Sequence, residues 1–246
     1  MSAYGAILSK SGSEPLPSTQ WQLQGKGGPS AAAPNYVTIH HLTLLEARTL
    51  PGLVEYLHGV FADELLRGMT YPQEILSGEV YTQEQFEAYY FAADVLVAVL
   101  GNEGEAAGEN AEPSRYTVVP YGIEEARSGR QWEECVAGCY YVKPNYPGRS
   151  SHICNAGFLV PVSQRAKGVG RVLARSYLYY GPRLGYEASV FNLVYVNNVA
   201  SVRLWEALDF IKAGLIPRAG RLKKADGSGE EYVDAWVFYR RFDKES

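Results

Sequence analysis

The segment of residues 155–174 constrains the fold more than any other, because an apolar run passes there through a glycine turn into an amphipathic pattern. This order predicts a strand that leads into a helix. Gly168 and Gly170 stand in the turn and leave backbone N–H groups without partners at the helix start. Lys167 and Arg171 flank them, so the turn suits a pyrophosphate. Taken alone, the pattern is also explained by a simple helix start.

The spacing of the glycines narrows the kind of anion. No Gly-Lys-Ser/Thr follows them, as it does in the phosphate loop of nucleotide hydrolases, and the three-glycine dinucleotide pattern is missing. The sequence therefore argues against ATP and NAD.

Composition limits the partners and the compartment. The 246 residues are enough for one ample core, and their net charge of −4 gives no general field for nucleic acid or an anionic membrane, so we expect a small-molecule partner. No apolar run is long enough to span a bilayer and the N-terminus lacks a targeting pattern, so the expected compartment is the cytoplasm.

The three cysteines are expected to be buried free thiols rather than metal ligands, because all of them lie in apolar sequence; they are Cys135, Cys139 and Cys154.

The hydrophobic pattern predicts a mixed, mostly antiparallel α/β sheet flanked by helices, in the order βαα-β-β-β-α-β-α-β-β. Residues 1–35 are rich in Gly, Ser, Pro and Ala, and we expect a flexible arm there before one domain over residues 36–246, with a short edge strand at Trp21–Leu23 as the alternative for that part of the arm. Residues 101–132 carry an acidic run with Gly and Pro, which predicts an inserted loop. The predicted strands are 36–40, 94–100, 135–143, 151–160, 188–196, 210–215 and 232–239, and the predicted helices begin near residues 49, 82, 168 and 198.

Two motifs resemble those of the GNAT acetyltransferase superfamily. Arg165-x-x-Gly168-x-Gly170 is similar to its coenzyme A loop, and the run from Asn198 to Phe210 is similar to its next signature. Longer segments resemble the fungal acetyltransferases that detoxify the proline analogue azetidine-2-carboxylate. These segments are Tyr140–Val160, Leu184–Ser201, Gly214–Gly220 and Tyr71–Gln73.

The resemblance implies the GNAT fold, a homodimer, and transfer of an acetyl group from acetyl-CoA, without a metal, to the amine of a small molecule. It assigns substrate binding to Asn155 and Asn192 and a coenzyme contact to Asn198. Acetyl-CoA would lie along the strand before the glycine turn. Its pantetheine would contact the backbone near Phe158, Leu159 and Val160, and its pyrophosphate would contact Arg165, Lys167, Gly168, Val169, Gly170 and Arg171.

Alternation along the two strands supports a role for the two asparagines. It places Asn155 with Gly157 on one face of the first strand, and Asn192 with Val190 and Val194 on one face of the next. Amides in strands this apolar need partners, because an unsatisfied buried amide costs on the order of 1–3 kcal/mol. A bond to a neighbouring backbone would explain either asparagine alone, whereas the pair favours function.

The chemistry leaves the proton carriers open. Neither of these two strands contains Asp or Glu, so we expect Asn155 to position the amine or a water that takes its proton, and a backbone N–H of the same strand to stabilise the oxyanion. Trp205 lies at the position where many superfamily members have a tyrosine that acts as the general acid. We therefore expect a water to protonate the thiolate.

The first helices supply Tyr71, Tyr89 and Tyr90 as candidate pocket residues. Acetylation of a peptide or polyamine, and a non-catalytic acyl-CoA-binding module, are the alternatives.

Overall fold

The computed structural model describes residues 15–23, 36–101 and 116–242. The strands in these ranges are β1 (Thr19–Gln22), β2 (Tyr36–Leu42), β3 (Asp94–Leu100), β4 (Tyr116–Val118), β5 (Val136–Pro144), β6 (Ile153–Leu159), β7 (Ala188–Tyr195), β8 (Ile211–Lys223) and β9 (Glu230–Arg241). The α-helices are α1 (Leu44–Arg48), α2 (Leu53–Arg67), α3 (Gln83–Tyr90), α4 (Ile123–Arg127), α5 (Trp132–Cys135), α6 (Val169–Arg183) and α7 (Val199–Glu206).

The strands form one sheet in the order β4-β1-β2-β3-β5-β6-β7-β9-β8. Neighbouring strands are antiparallel except for β6 and β7, which are parallel. The predicted mixed, mostly antiparallel sheet is therefore confirmed. Parallel strands need a crossover, and α6 supplies it between β6 and β7.

Helices cover both faces of the sheet. On one face, the cluster that contains Phe61 of α2 and Phe86 of α3 packs against β3 and β5. On the other face, Tyr177 of α6 and Trp205 of α7 pack around Phe191 of β7. The site described below lies where β6 separates from β7.

Local sequence explains where two of the helices begin. Thr43 precedes α1 and Thr82 precedes α3, and each threonine side chain accepts a hydrogen bond from the N–H three residues on. Glu46 and Gln85, at those positions, bond back to the backbone N–H of the cap. These reciprocal capping boxes satisfy N–H groups that a helix start leaves unpaired, and the predicted helix start near residue 82 is confirmed.

The predicted N-terminal arm needs correction. Thr19–Gln22 forms a strand between β2 and β4, where Thr19 and Trp21 are buried. The Thr19 hydroxyl lies 2.9 Å from that of Tyr180 in α6. The arm prediction is therefore wrong for residues 15–23, and the remainder of residues 1–35 lies outside the described residues.

The predicted insertion also contains structure. Within it, β4 pairs with β1, and α4 buries Ile123 against the sheet. The Arg130 guanidinium donates to the carbonyls of Leu100 and Gly101, so it ties the two ends of the segment together. A structureless loop is thus wrong from residue 116 onward, and residues 102–115 lie outside the described residues.

Candidate active site

Strands β6 and β7 pair only at their beginnings. Ile153 and Cys154 lie opposite Ala188 and Ser189, and no further pair forms between these two strands. From α6, the Tyr177 hydroxyl donates to Ser189 Oγ at 2.7 Å and lies 3.0 Å from Cys154 Sγ. Tyr177 thus joins the last paired residues before the strands part.

The edge of β6 that faces the gap carries unpaired backbone groups. The Asn145 N–H, just after β5, donates to the Ile153 carbonyl at 2.8 Å. The backbone groups of Ile153 therefore point toward β5. Because this direction alternates along a strand, Leu159 turns its N–H and carbonyl toward β5, whereas Ala156 and Phe158 turn theirs into the gap. The gap therefore exposes a short sheet edge with which the amides of a ligand can pair.

Two side chains limit this edge. The Tyr71 hydroxyl donates to the Phe158 carbonyl at 3.0 Å, and Arg165 Nε donates to the Val160 carbonyl at 3.2 Å. Of the three residues expected beside pantetheine, Phe158 and Val160 border the gap. Leu159 is buried and turned toward β5.

Strand β7 contains a bulge at its asparagine. Pairing with β9 shifts between Phe191 and Val194, so that Asn192 and Leu193 together oppose Val237. A bulge interrupts the alternation of side chains, and Phe191 and Val194 consequently both join the core on the α6 face. The prediction that Val194 shares a face with Asn192 is wrong for this reason.

Three asparagine side chains meet in a hydrogen-bonded triad. Asn145 Oδ1 accepts from Asn155 Nδ2 at 3.1 Å and from Asn192 Nδ2 at 2.6 Å. Asn145 Nδ2 donates in return to Asn192 Oδ1 at 3.1 Å. Asn155 and Asn192 are thus brought together by a third asparagine that the sequence analysis did not single out. Asn145 follows β5 in a Pro-rich stretch, where the sequence signals only a turn.

The triad leaves one amide oxygen for a ligand. Each amide has one acceptor oxygen and two N–H donors. The oxygens of Asn145 and Asn192 are bonded within the triad, whereas Asn155 Oδ1 has no partner among the described residues. Asn155 is half-buried beside the gap, so its oxygen can accept a hydrogen bond from an N–H of a bound molecule.

A lysine and two tyrosines form the wall beside Asn155. Lys143 is the cross-strand partner of Asn155, and its Nζ lies 3.9 Å from the centroid of the Tyr89 ring and 4.2 Å from that of the Tyr141 ring. The two tyrosine hydroxyls are 3.0 Å apart. Burial lowers the pKa of the Lys143 amine to about 8.

The predicted pocket tyrosines differ in accessibility. Tyr71 and Tyr89 are half-buried, whereas Tyr90 is fully buried and donates to the Gly157 carbonyl at 3.1 Å. Burial raises the pKa of Tyr71 and of Tyr90 well above the usual value, so both hydroxyls keep their protons. Tyr90 is therefore a core residue that supports β6, and Tyr71 and Tyr89 border the site.

The glycine loop presents free N–H groups at the start of α6. Gly168 has a φ of 87°, which favours glycine, and it caps the helix without a side-chain hydrogen bond. The N–H groups of Val169 and Gly170 have no partner among the described residues. Arg171 is exposed beside them, and Lys167 Nζ donates to Gln164 Oε1 at 3.1 Å. This end of α6 is suited to an anion.

Arg165 is engaged elsewhere. Besides its bond to the Val160 carbonyl, its Nη2 lies 2.5 Å from Glu64 Oε2. It therefore holds α2 against the end of β6, and its charge is already neutralised by a carboxylate.

The helix after β7 begins at the predicted asparagine. Asn198 Oδ1 accepts from the Ser201 N–H at 3.2 Å and caps α7, which leaves its Nδ2 without a partner among the described residues. Trp205 is buried, with its Nε1 donating to Ser201 Oγ at 3.0 Å and its ring 5.1 Å from that of Phe158. Trp205 therefore packs behind the gap and has no proton to offer there.

Comparison with known proteins identifies the family. The sequence profile of the Acetyltransferase (GNAT) family matches residues 80–210. The chain belongs to this family. The N-acetyltransferase aca1 of Schizosaccharomyces pombe is 42% identical over 179 residues, which cover 73% of this chain and 75% of that protein. The protein is accordingly an acetyl-CoA-dependent N-acetyltransferase.

Solved structures share the GNAT fold. A GCN5-related N-acetyltransferase from Kribbella flavida superposes with a TM-score of 0.58 at 21% identity, covering 83% of this chain and 97% of that one. The structure of yncA from Salmonella typhimurium, with its cofactor acetyl-CoA, gives a TM-score of 0.57 at 15% identity, covering 85% and 96%.

The residues present fit the GNAT coenzyme. The open edge of β6 provides amide partners for a pantetheine arm, and the free N–H groups of Val169 and Gly170 provide an anion site for a pyrophosphate. Among the described residues, no group of His, Cys, Asp or Glu is placed to hold a metal, and no helix is long and apolar enough to cross a membrane.

Proposed function

We propose that this enzyme acetylates the secondary amine of a proline-like imino acid, such as azetidine-2-carboxylate, and thereby detoxifies it. The observation that carries the proposal is the asparagine triad, which leaves Asn155 Oδ1 as an acceptor for an N–H beside the open edge of β6. The small wall formed by Tyr89, Tyr141 and Lys143 supports a compact acceptor. The resemblance to the fungal proline-analogue acetyltransferases supports its class.

Backbone groups bind the coenzyme. When bound, acetyl-CoA supplies a thioester whose carbonyl carbon is attacked by the acceptor nitrogen, forming a C–N bond as the C–S bond breaks. In our proposal, the N–H and carbonyl of Ala156 pair with the pantetheine amides, and the Phe158 N–H is the donor to the oxyanion. Val169, Gly170 and Arg171 bind the pyrophosphate, and Asn198 Nδ2 contacts the coenzyme from α7.

The triad positions the acceptor. Asn155 Oδ1 accepts from the acceptor N–H and orients the nitrogen lone pair toward the thioester carbon. Asn192 fixes Asn145, and Asn145 fixes Asn155, so the amide is held before the acceptor arrives. An amide is too weak a base to take the proton, and we assign that step to a water in the gap, while the departing thiolate of coenzyme A receives a proton from water.

A non-catalytic acyl-CoA-binding module is the second candidate. Trp205 favours it, because its N–H is bonded to Ser201 and leaves no acid at the position that a tyrosine occupies in many GNAT enzymes. The triad argues against it, since a module that only binds the coenzyme has no use for an acceptor oxygen at Asn155.

We further propose a cytoplasmic homodimer. The three cysteines are buried free thiols, which suits a reducing compartment. Exposed apolar residues on the β8–β9 hairpin would cover one another in a dimer; these are Ile211, Leu215, Ile216 and Tyr232.

Thiol release from acetyl-CoA tests the function. The purified protein is offered azetidine-2-carboxylate, cis-4-hydroxyproline, spermidine or a histone-tail peptide. We expect release with the two imino acids. Release only with peptide or polyamine would refute the proposal in favour of those acceptors, and no release despite tight acetyl-CoA binding would favour the binding module.

Asn155→Ala separates catalysis from binding. We expect the variant to lose turnover while its affinity for acetyl-CoA, measured by calorimetry, stays at the wild-type value. If turnover survives as well, Asn155 does not position the acceptor. Asn197→Ala serves as the matched control, because it makes the same substitution at an exposed asparagine in the turn before α7.

A further inference from the structure

Lys143 leaves the sheet beside the acceptor-binding asparagine. It lies opposite Asn155 in the β5–β6 ladder, and Tyr141 lies opposite Gly157. Side chains of directly opposed residues project from the same face, with their Cβ atoms about 4.5–5.5 Å apart. The side chains of Lys143 and Asn155 therefore leave the sheet on the same face, next to each other.

The Lys143 ammonium has unused hydrogen-bonding capacity. It donates to the Tyr89 carbonyl at 2.9 Å and lies over the Tyr89 and Tyr141 rings. An ammonium has three donors, and no second acceptor for Lys143 is found in the described residues. Apart from the Tyr89 carbonyl, the ammonium meets only the faces of these two rings, so it retains N–H capacity for an anionic ligand.

No carboxylate in the described part of the chain compensates this charge. The two buried carboxylates of the neighbouring helices are both engaged, since Glu64 pairs with Arg165 and Glu87 with Arg48. A cation that is taken out of water without a counter-ion is costly, and an anionic ligand removes that cost. The missing counter-ion therefore points to an acidic group on the substrate.

The surroundings favour a binding cation over a proton acceptor. The pKa of the Lys143 amine, lowered by burial to about 8, keeps most of it protonated at pH 7. The faces of Tyr89 and Tyr141 stabilise the charged form, and a bound carboxylate would stabilise it further. A general base would need the neutral amine.

We propose that Lys143 is a specificity-determining residue whose ammonium binds the carboxylate of the acceptor. The substrates are then amines with a carboxylate close to the reacting nitrogen, since that nitrogen binds the neighbouring Asn155. The same ammonium repels polyamines, whose other amines stay positively charged when one of them reacts. This inference rests on the proposed small-molecule acetyltransferase activity and names what selects its substrate.

The test compares an acidic acceptor with its neutral counterpart. Azetidine-2-carboxylate and azetidine-2-carboxamide are assayed at pH 7 with wild type, Lys143→Met and Lys143→Arg. We expect Lys143→Met to raise KM for the carboxylate about ten- to a hundredfold, with kcat and the KM for the carboxamide little changed. Lys143→Arg keeps the charge and should restore part of the preference.

Other results would overturn the assignment. An unchanged KM ratio between the two acceptors shows that Lys143 does not bind the carboxylate, and an equal fall in kcat for both shows that it acts as a base. Acetyl-CoA affinity, measured for each variant, shows that the fold is intact. Failure of the wild type to acetylate either acceptor would refute the proposed function itself, which separates the two failures.

Discussion

The half-buried ammonium of Lys143 predicts an unusual stability profile. Its pKa falls from 10.5 to about 8 on folding, because burial disfavours the charged form. Between these values the unfolded state binds more protons than the folded state, so the free energy of unfolding rises with pH. The full cost of the buried charge is present below pH 8 and disappears as pH rises through 10.5.

The size of the effect follows from the pKa difference. A shift of one unit corresponds to about 1.4 kcal/mol, so the change of about 2.5 units corresponds to roughly 3 kcal/mol. Lys143→Met removes the titrating group and retains an unbranched side chain between the two tyrosines. We therefore expect the variant to be more stable than the wild type at pH 7, and this advantage to shrink by about 3 kcal/mol by pH 11.

Urea unfolding followed by tryptophan fluorescence between pH 7 and pH 11 measures this difference. Lys224→Met makes the same substitution in the turn between β8 and β9, and any pH dependence that it shares with Lys143→Met does not come from the pocket. A constant difference in unfolding free energy between wild type and Lys143→Met across this range would refute the reasoning. If the wild type is less stable than Lys143→Met but more active toward the carboxylate acceptor, the protein gives up stability at Lys143 for substrate binding.

Three further substitutions test the geometry of the site. Asn145→Leu should lower kcat/KM about a hundredfold in the thiol-release assay, because Asn155 and Asn192 lose their common partner, while acetyl-CoA affinity stays unchanged; a wild-type kcat/KM would exclude the triad from catalysis. Gly168→Val should cost about 1–2 kcal/mol in urea unfolding and weaken acetyl-CoA binding in calorimetry, since the position has a φ of 87°; unaltered binding would show that this loop does not hold the pyrophosphate. Tyr177→Phe should lower the free energy of unfolding by about 1 kcal/mol, because the hydroxyl bonds both strands at the point where they part; unchanged stability would contradict that role.

Local patterns predicted much of the fold because they report local causes. The pattern of residues 94–100 predicted β3, and the predicted helix start near residue 82 matches α3, which Thr82 caps. Gly168 and Gly170 located the turn into α6, since a left-handed φ and free N–H groups are properties of a few adjacent residues.

Pairings between distant segments escaped this reasoning. Thr19–Gln22 looked like part of an arm, because four residues become a strand only when β2 and β4 supply partners on both sides. The bulge in β7 escaped for the same reason, since it is defined by the register with β9 and not by the composition of Asn192 and its neighbours.

The sequence by itself determined the order of β2, β3, β5–β9 and the four longest helices, the glycine turn and the two strand asparagines, all of which rest on residue type and short-range periodicity. Only the tertiary structure decided that Asn145 joins Asn155 to Asn192 and that Lys143 stands beside them without a counter-ion. These contacts depend on how three strands align and where two of them separate. Hydrogen bonds and buried charges act between atoms that meet in space, and the sequence positions of those atoms are far apart.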